Sequence, residues 1–285
     1  MSVMSSLSQN SLVRSSYEGV LEAGFIPRRA FAHFFINEAG LKSQIHLQNY
    51  YSFFFPDTLT PATATVWLHD HTGKQIAKKS FEVAPFGQLY LGIEDLLGED
   101  IPMEGMVYVD LKPPRIIRKQ MKTLPNVLGA EANTPFWVSY RDANENYMYV
   151  HSIESYRGKV FGAIWPLSRT LATAAPQRNE WSSWRLLDVN LLDELQVVVM
   201  NHSHLPGDTT LRVFDQSNNQ IWSKEVHLEP RESNRVQIPA EEISRWKELE
   251  NVSEVRIGLS QLMTSNGKPY VMMRYGGGPL SLHHG

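Results

Sequence analysis

The chain has no cysteine among its 285 residues. That excludes a disulfide framework, a thiolate nucleophile, a zinc ribbon and a cysteine-held iron–sulfur cluster. It also lacks an excess of one charge. Its 27 basic and 30 acidic residues give a formal net charge of −3, so a generally basic nucleic-acid surface is not expected. No stretch approaches the roughly 18 uncharged apolar residues that a membrane-spanning helix needs. There is no Gly-x-Ser-x-Gly, no phosphate-binding glycine loop and no His-Glu-x-x-His, so the common catalytic signatures are missing. The N-terminal MSVMSSLSQNSLVRSSYEG has no continuous apolar run of the signal-peptide kind. Residues 1–30 are expected to be a disordered lead-in, with the cytoplasm as the default compartment.

What is present is a repeat. Residues 65–85, TVWLHDHTGKQIAKKSFEVAP, align without a gap on residues 210–230, TLRVFDQSNNQIWSKEVHLEP, at an offset of 145. Thr65/Thr210, Asp70/Asp215, Gln75/Gln220, Ile76/Ile221, Lys79/Lys224 and Pro85/Pro230 are identical. Val66 and Leu68 alternate with Thr65, Trp67 and His69, a period of two that predicts a strand. Asp70–Lys74 and Asp215–Asn219 supply turns. Gly73 and Asn218 or Asn219 tolerate the positive φ such turns need. Pro85 and Pro230 end the returning strand, because proline cannot donate to the ladder.

The parallel continues with a third strand (Gln88–Ile93; Arg235–Ile238) and an acidic helical turn opening at Glu94-Asp95 or Glu241-Glu242. Two further strands follow, the last opened by Pro135 or Pro269. Segments 44–55 and 195–201 read as leading strands. Many short strands with frequent turns predict a fold that is all-β: two tandem, internally duplicated antiparallel β-sandwich domains. The expected boundaries are 31–151 for the first copy, with a basic insertion at 112–133, a linker at 152–185, and 186–285 for the second.

The order strand, Asp-x-x-Gly turn, strand, Pro85-Phe86-Gly87 turn, strand, acidic turn and Gly-x-Val-x-Val strand carries a fold-level resemblance. It resembles the immunoglobulin-like modules of bacterial surface proteins. It is also similar to the small β-sandwich of the sensory rhodopsin transducer family. The second copy departs from the pattern, with Arg231-Glu232 where the first has Phe86-Gly87. The resemblance implies a non-catalytic binding or assembly role and carries over no binding residue.

Several residue groups are candidates for chemistry. His69-Asp70-His71 and His202-Ser203-His204 have the i, i+2 spacing that lets two imidazoles share a metal; the plainer reading is exposed turn histidines. The C-terminal Arg274-Tyr275 strand end, the three glycines after it, and His283-His284 sit where His151 sits in the first copy. Together His151, Arg274, Tyr275, His283 and His284 form a candidate ligand site, with His283 and His284 as candidate metal ligands. Residues 112–122 hold five basic residues and no acid. Arg115, Arg118, Lys119 and Lys122 make a candidate patch for an acidic partner, a phosphate-bearing ligand or an anionic membrane. Aromatic residues crowd at 50–55 and 181–184, as in sugar-stacking platforms or in sandwich cores.

The function expected is a non-catalytic binding or assembly protein whose ligand is a partner protein or a glycan. The alternative is a metal-dependent enzyme using a histidine cluster and a divalent metal. Sheet edges make a homo-oligomer a further possibility.

Overall fold

A computed structural model describes residues 30–121, 136–154, 180–183, 185–202, 206–261 and 268–284. They fall into two compact units, one holding 30–70 and 74–154, the other holding 180–284 with 71–73. Both are built mainly of antiparallel strands.

In the first unit β1 (Phe31–Glu38), β3 (Ala62–Asp70), β4 (Gln75–Val83) and β6 (Met103–Lys112) pair in the order β4-β3-β6-β1. A second group, β2 (Leu41–Gln48), β5 (Gln88–Gly92), β7 (Trp137–Asp142) and β8 (Tyr147–His151), pairs in the order β5-β2-β7-β8. The two groups are linked only at the β1–β2 hairpin, through Asn37↔Lys42 and Glu38↔Leu41. Gly40 takes φ +89 there, a conformation that costs other residues steric strain. Short helices α1 (Tyr51–Phe54), α2 (Ile93–Leu97) and α3 (Arg115–Met121) lie between strands. A two-residue strand, β9 (Ile153–Glu154), pairs with β1.

The second unit has β10 (Trp181–Ser182), β11 (Leu187–Asp188), β12 (Leu192–Met200), β13 (Gly207–Asp215), β14 (Gln220–Leu228), β15 (Ser233–Gln237), α4 (Ala240–Glu248), β16 (Glu254–Leu259), β17 (Tyr270–Tyr275) and β18 (Leu280–His284). Its sheets run β14-β13-β16-β10, with β11 also on β16, and β15-β12-β17-β18. Residues of both sheets share one core: Leu195, Val197 and Val271 meet Leu211, Val213, Ile257 and Leu259, with Trp246 of α4 fully buried among them. Alternation explains the pattern, since every second side chain of a strand points to the same face.

Register agrees position by position. Val66 faces Val109 and Leu68 faces Val107 in the first unit; Leu211 faces Leu259 and Val213 faces Ile257 in the second. The same side-chain clamp closes both. Asn49 Nδ2 donates to the carbonyls of Val83 and Ala84 at 3.1 and 3.2 Å. Asn201 Nδ2 donates to those of Leu228 and Glu229 at 3.2 and 3.0 Å. Each Asn is fully buried and ties the end of one sheet's strand to the end of the other's. Without it those carbonyls would lose their donor, a cost of about 1–3 kcal/mol.

Turns follow the expected chemistry. Asp215 Oδ1 accepts from the backbone N–H of Ser217 and Asn219, and its Oδ2 from Asn219 Nδ2, all at 2.8 Å. Asp142 repeats this with Asn144 and Asn146 between β7 and β8. Asp70 accepts from the Lys74 N–H at 3.0 Å.

Three expectations differ from the structure. The span 152–185 expected as a linker carries paired strands near both ends, β9 on β1 and β10 on β16. The lead segment 44–55 is strand only to Gln48 and turns helical at Tyr51. The strand β1 was not anticipated, because FAHFFINE is apolar without alternation. It is buried on both faces, and such a strand carries no period.

Candidate functional site

The β5-β2-β7-β8 sheet presents an unusual outward face. On β5 the outward residues are Gln88 and Tyr90; on β2, Lys42, Gln44, His46 and Gln48; on β7, Trp137, Ser139 and Arg141; on β8, Tyr147, Tyr149 and His151. Pairing aligns them in rows. Tyr90, His46, Trp137 and His151 sit directly across from one another along the first row. Gln44, Ser139 and Tyr149 form the next, and Lys42, Arg141 and Tyr147 the third.

The rings touch. His46 meets Tyr90 and Tyr149 edge-on, with centroids 5.0 and 5.5 Å apart. Trp137 meets His151 edge-on at 5.6 Å, and Tyr147 stacks on Tyr149 at 6.2 Å. Such pairs contribute about 0.5–1.5 kcal/mol each beyond area burial. Ser139 is the small residue that makes room: His46 Nε2 lies 2.7 Å from its hydroxyl, with Tyr149 directly opposite it. Burial lowers the His46 pKa, which favours the neutral ring. Despite these contacts Tyr90, Tyr147 and Tyr149 remain about half exposed, and Trp137 is 39% exposed.

Together His46, Gln48, Tyr50, Gln88, Tyr90, Trp137 and Tyr149 line a shallow depression of about 170 Å³. A second depression adjoins it on the same face, lined by Lys42, Gln44, Glu94, Ser139, Arg141 and Tyr147. The Tyr90 hydroxyl donates to Gln88 Oε1. Lys42 pairs with Asp100, and Arg141 lies 3.5 Å from Glu145. The face therefore combines apolar ring surfaces, amide donors and acceptors, and charges already balanced within the unit.

Most residues singled out from sequence lie elsewhere; Tyr50 of the 50–55 aromatics and His151 are the exceptions. His151 belongs to this face and packs on Trp137. Its Nδ1 is 2.9 Å from the Ser152 carbonyl. His284 occupies the matching place in the second unit, opposite Tyr270 as His151 is opposite Trp137. His283 and His284 are consecutive on β18 and so point to opposite faces. Burial, the largest cause, lowers the His283 pKa. Arg274 is engaged by Glu194 at 3.2 Å and by the Gly278 carbonyl at 2.9 Å. Tyr275 packs on the second unit's core, and burial, then the Asp188 charge, raises its pKa.

Among the described residues no three His, Asp or Glu side chains converge as a metal site. His69 and His202 are buried, not exposed as the plainer sequence reading had it; His204 lies outside the described residues. Arg115, Arg118 and Lys119 are exposed on α3, while Ile117 is fully buried; Lys122 lies outside the described residues. Of the aromatic clusters, Trp181 packs on the second unit's core and Trp184 is outside the described residues. The aromatic face was legible only in part. Gln-Leu-Tyr and Tyr-Met-Tyr-Val-His alternate, but only pairing across four strands brings their outward residues together with Trp137 and His46.

No protein-family model and no curated protein matches the chain. Solved structures give faint similarities. A putative secreted protein from Parabacteroides distasonis is 9% identical over 86% of this chain and 79% of its own, with a TM-score of 0.21. A β-D-mannosidase from Dictyoglomus thermophilum is 12% identical over 77% of this chain, with a TM-score of 0.17. A putative β-galactosidase from Bacteroides fragilis is 11% identical over 90%, with a TM-score of 0.18. The chain spans only 27% and 31% of the two glycosidases. Scores this low establish neither a fold family nor an activity.

Proposed function

We propose that this chain is a non-catalytic glycan-binding protein built from two related β-sandwich units, with the sugar taken up on the aromatic face of the first. The units share strand order, pairing register and Asn clamp, which supports duplication of one ancestral module. The observation that carries the binding assignment is the run of touching rings Tyr90, His46, Tyr149 and Tyr147, flanked by Trp137 and bordered by Gln44, Gln48 and Gln88. Exposed rings on a rigid sheet stack on the C–H faces of a pyranose, while side-chain amides bond its hydroxyls. The depression is shallow, as suits a sugar unit within a chain. Among the described residues Glu94 is the one carboxylate lining either depression, whereas glycosidases use a pair.

The test is binding of the full chain to immobilised polysaccharides of differing linkage, followed by titration calorimetry. Trp137→Ala and Tyr149→Ala should each weaken the bound glycan by about tenfold, a loss near one ring-stacking interaction. Chelation of divalent metal should change nothing, which separates this reading from a metal-dependent one. Unchanged affinity in both variants, or retention by no polysaccharide, would overturn the assignment.

A further inference from the structure

A second surface of the first unit has a different character. Helix α1 and helix α3 adjoin: Tyr51 of α1 and Ile117 of α3 bury in one small cluster with Ala62, against Phe55 and Leu111. The Tyr51 hydroxyl donates to the Leu111 carbonyl at 2.7 Å, fixing α1 beneath the end of β6. With Tyr51 and Ile117 turned inward, their neighbours turn out. Phe53, Phe54 and Ile116 are half exposed, and Leu59 in the following loop is 70% exposed.

Phe86 joins this group. It sits in the turn after β4 with φ +54, where a bulky residue is strained. Its N–H donates to Ser52 Oγ at 3.0 Å, and its ring meets Phe53 edge-on at 5.6 Å. The turn thus holds an exposed phenyl ring against another exposed phenyl ring. The matching turn of the second unit places a buried Arg231 there, φ +65.

Charge is added by α3. Arg115, Arg118 and Lys119 are exposed on it, with no acid between residues 112 and 122 in a chain that is acidic overall. Asp57 is the acid within the 53–59 loop. Phenylalanine and leucine side chains have no polar atom to pair, so a polar partner gains little from them. A bilayer's headgroup–acyl boundary takes up such side chains and attracts cations beside them when its lipids are anionic.

We propose that the α1–α3 surface docks on an anionic lipid bilayer, with Phe53, Phe54 and Phe86 entering the interface and Arg115, Arg118 and Lys119 facing the headgroups. Each cation near such a surface contributes on the order of 1 kcal/mol, about fivefold in binding. None of these residues lines the aromatic depression, though Phe53 meets its rim residue Tyr50 at 6.4 Å; the charge-reversal variant on α3 tests the lipid surface without touching that rim.

The experiment is co-sedimentation of the full chain with vesicles of phosphatidylcholine alone or mixed with phosphatidylserine. Binding is expected only with phosphatidylserine and should fall as salt rises. Arg118→Glu with Lys119→Glu should reduce it at least about tenfold, and Phe53→Ser with Phe54→Ser by a similar factor. All four residues are exposed, so circular dichroism melts should stay close to the parent's. Equal binding to both vesicle types, no binding to either, or full binding by the phenylalanine variant overturns the proposal. Capture by an acidic polypeptide but not by phosphatidylserine vesicles overturns it too.

Discussion

The two units share a strand order and bury opposite faces. In the first, the β5-β2-β7-β8 face is open and aromatic, whereas the outward positions of β4-β3-β6-β1 are covered: Ala32, Phe34, Trp67, His69 and Tyr108 are all buried. In the second, outward positions of β15-β12-β17-β18 are buried, with Val198, Met200, Tyr270 and Met272 fully so. There it is the β14-β13-β16 face that meets solvent, where Arg256 lies over the Phe214 ring at 5.2 Å and Arg212 pairs with Glu180. One scaffold therefore offers two faces, and outward residues that leave the core untouched decide which one is free to bind. Trp137 and Tyr270 hold matching positions, across from His151 and His284, yet Trp137 is exposed and Tyr270 fully buried.

This contrast can be broken most sharply at that pair. Tyr270→Ala should destabilise the second unit by about 3–5 kcal/mol, as for other large buried aromatics. Trp137→Ala should cost about 1 kcal/mol or less. Chemical denaturation of the two variants measures the difference, and similar costs would mean the faces are not differently covered. Next in size are the clamps, where the units should agree. Asn49→Ala and Asn201→Ala should each cost about 1–3 kcal/mol, and a clear inequality would break the structural equivalence drawn here.

Acid should separate the units again. His202, directly after the clamp residue Asn201, is fully buried; burial, then the Arg231 cation, lowers its pKa to about 3. The first unit has Tyr50 after Asn49. Below its ordinary pKa of 6.5, the unfolded chain takes up a proton that the fold refuses. Stability present above that pH is then lost toward pH 3, by up to about 1.4 kcal/mol per unit. His202→Gln should flatten that slope in melts between pH 4 and 7, and an unaltered slope would reassign it. The smallest effect concerns His227, paired across strands with Asp208 at 2.7 Å. Bonds to Asp208, then Glu229, raise its pKa. Its contribution is present below about pH 6.5 and lost as pH rises through the raised value. Because the pair is exposed, His227→Gln should shift the melting temperature only slightly, and only on the acid side.

Much of the architecture could be read from residues. The gapless match of 65–85 with 210–230 anticipated β3, β4, β13 and β14, their turns and their stops, because alternation and turn chemistry are local. The sequence matches His151 only to the His283-His284 pair, and strand pairing singles out His284. What failed was non-local. His69 ends an alternating strand beside a turn and reads as exposed, but β3 is covered on both sides. The 181–184 aromatics fit a platform or a core when read along the chain, and only packing assigns Trp181 to the core. The residues that do form an aromatic face are one or two per strand, drawn from 46, 90, 137, 147 and 149, and no window along the chain holds them together.

By itself, then, the sequence determined the alternating strands and their turns, since these follow from backbone sterics and a period of two. Only the tertiary structure decided which of each strand's two faces stays in water. That depends on what packs against the sheet from distant parts of the chain, and the same alternation is compatible with either outcome.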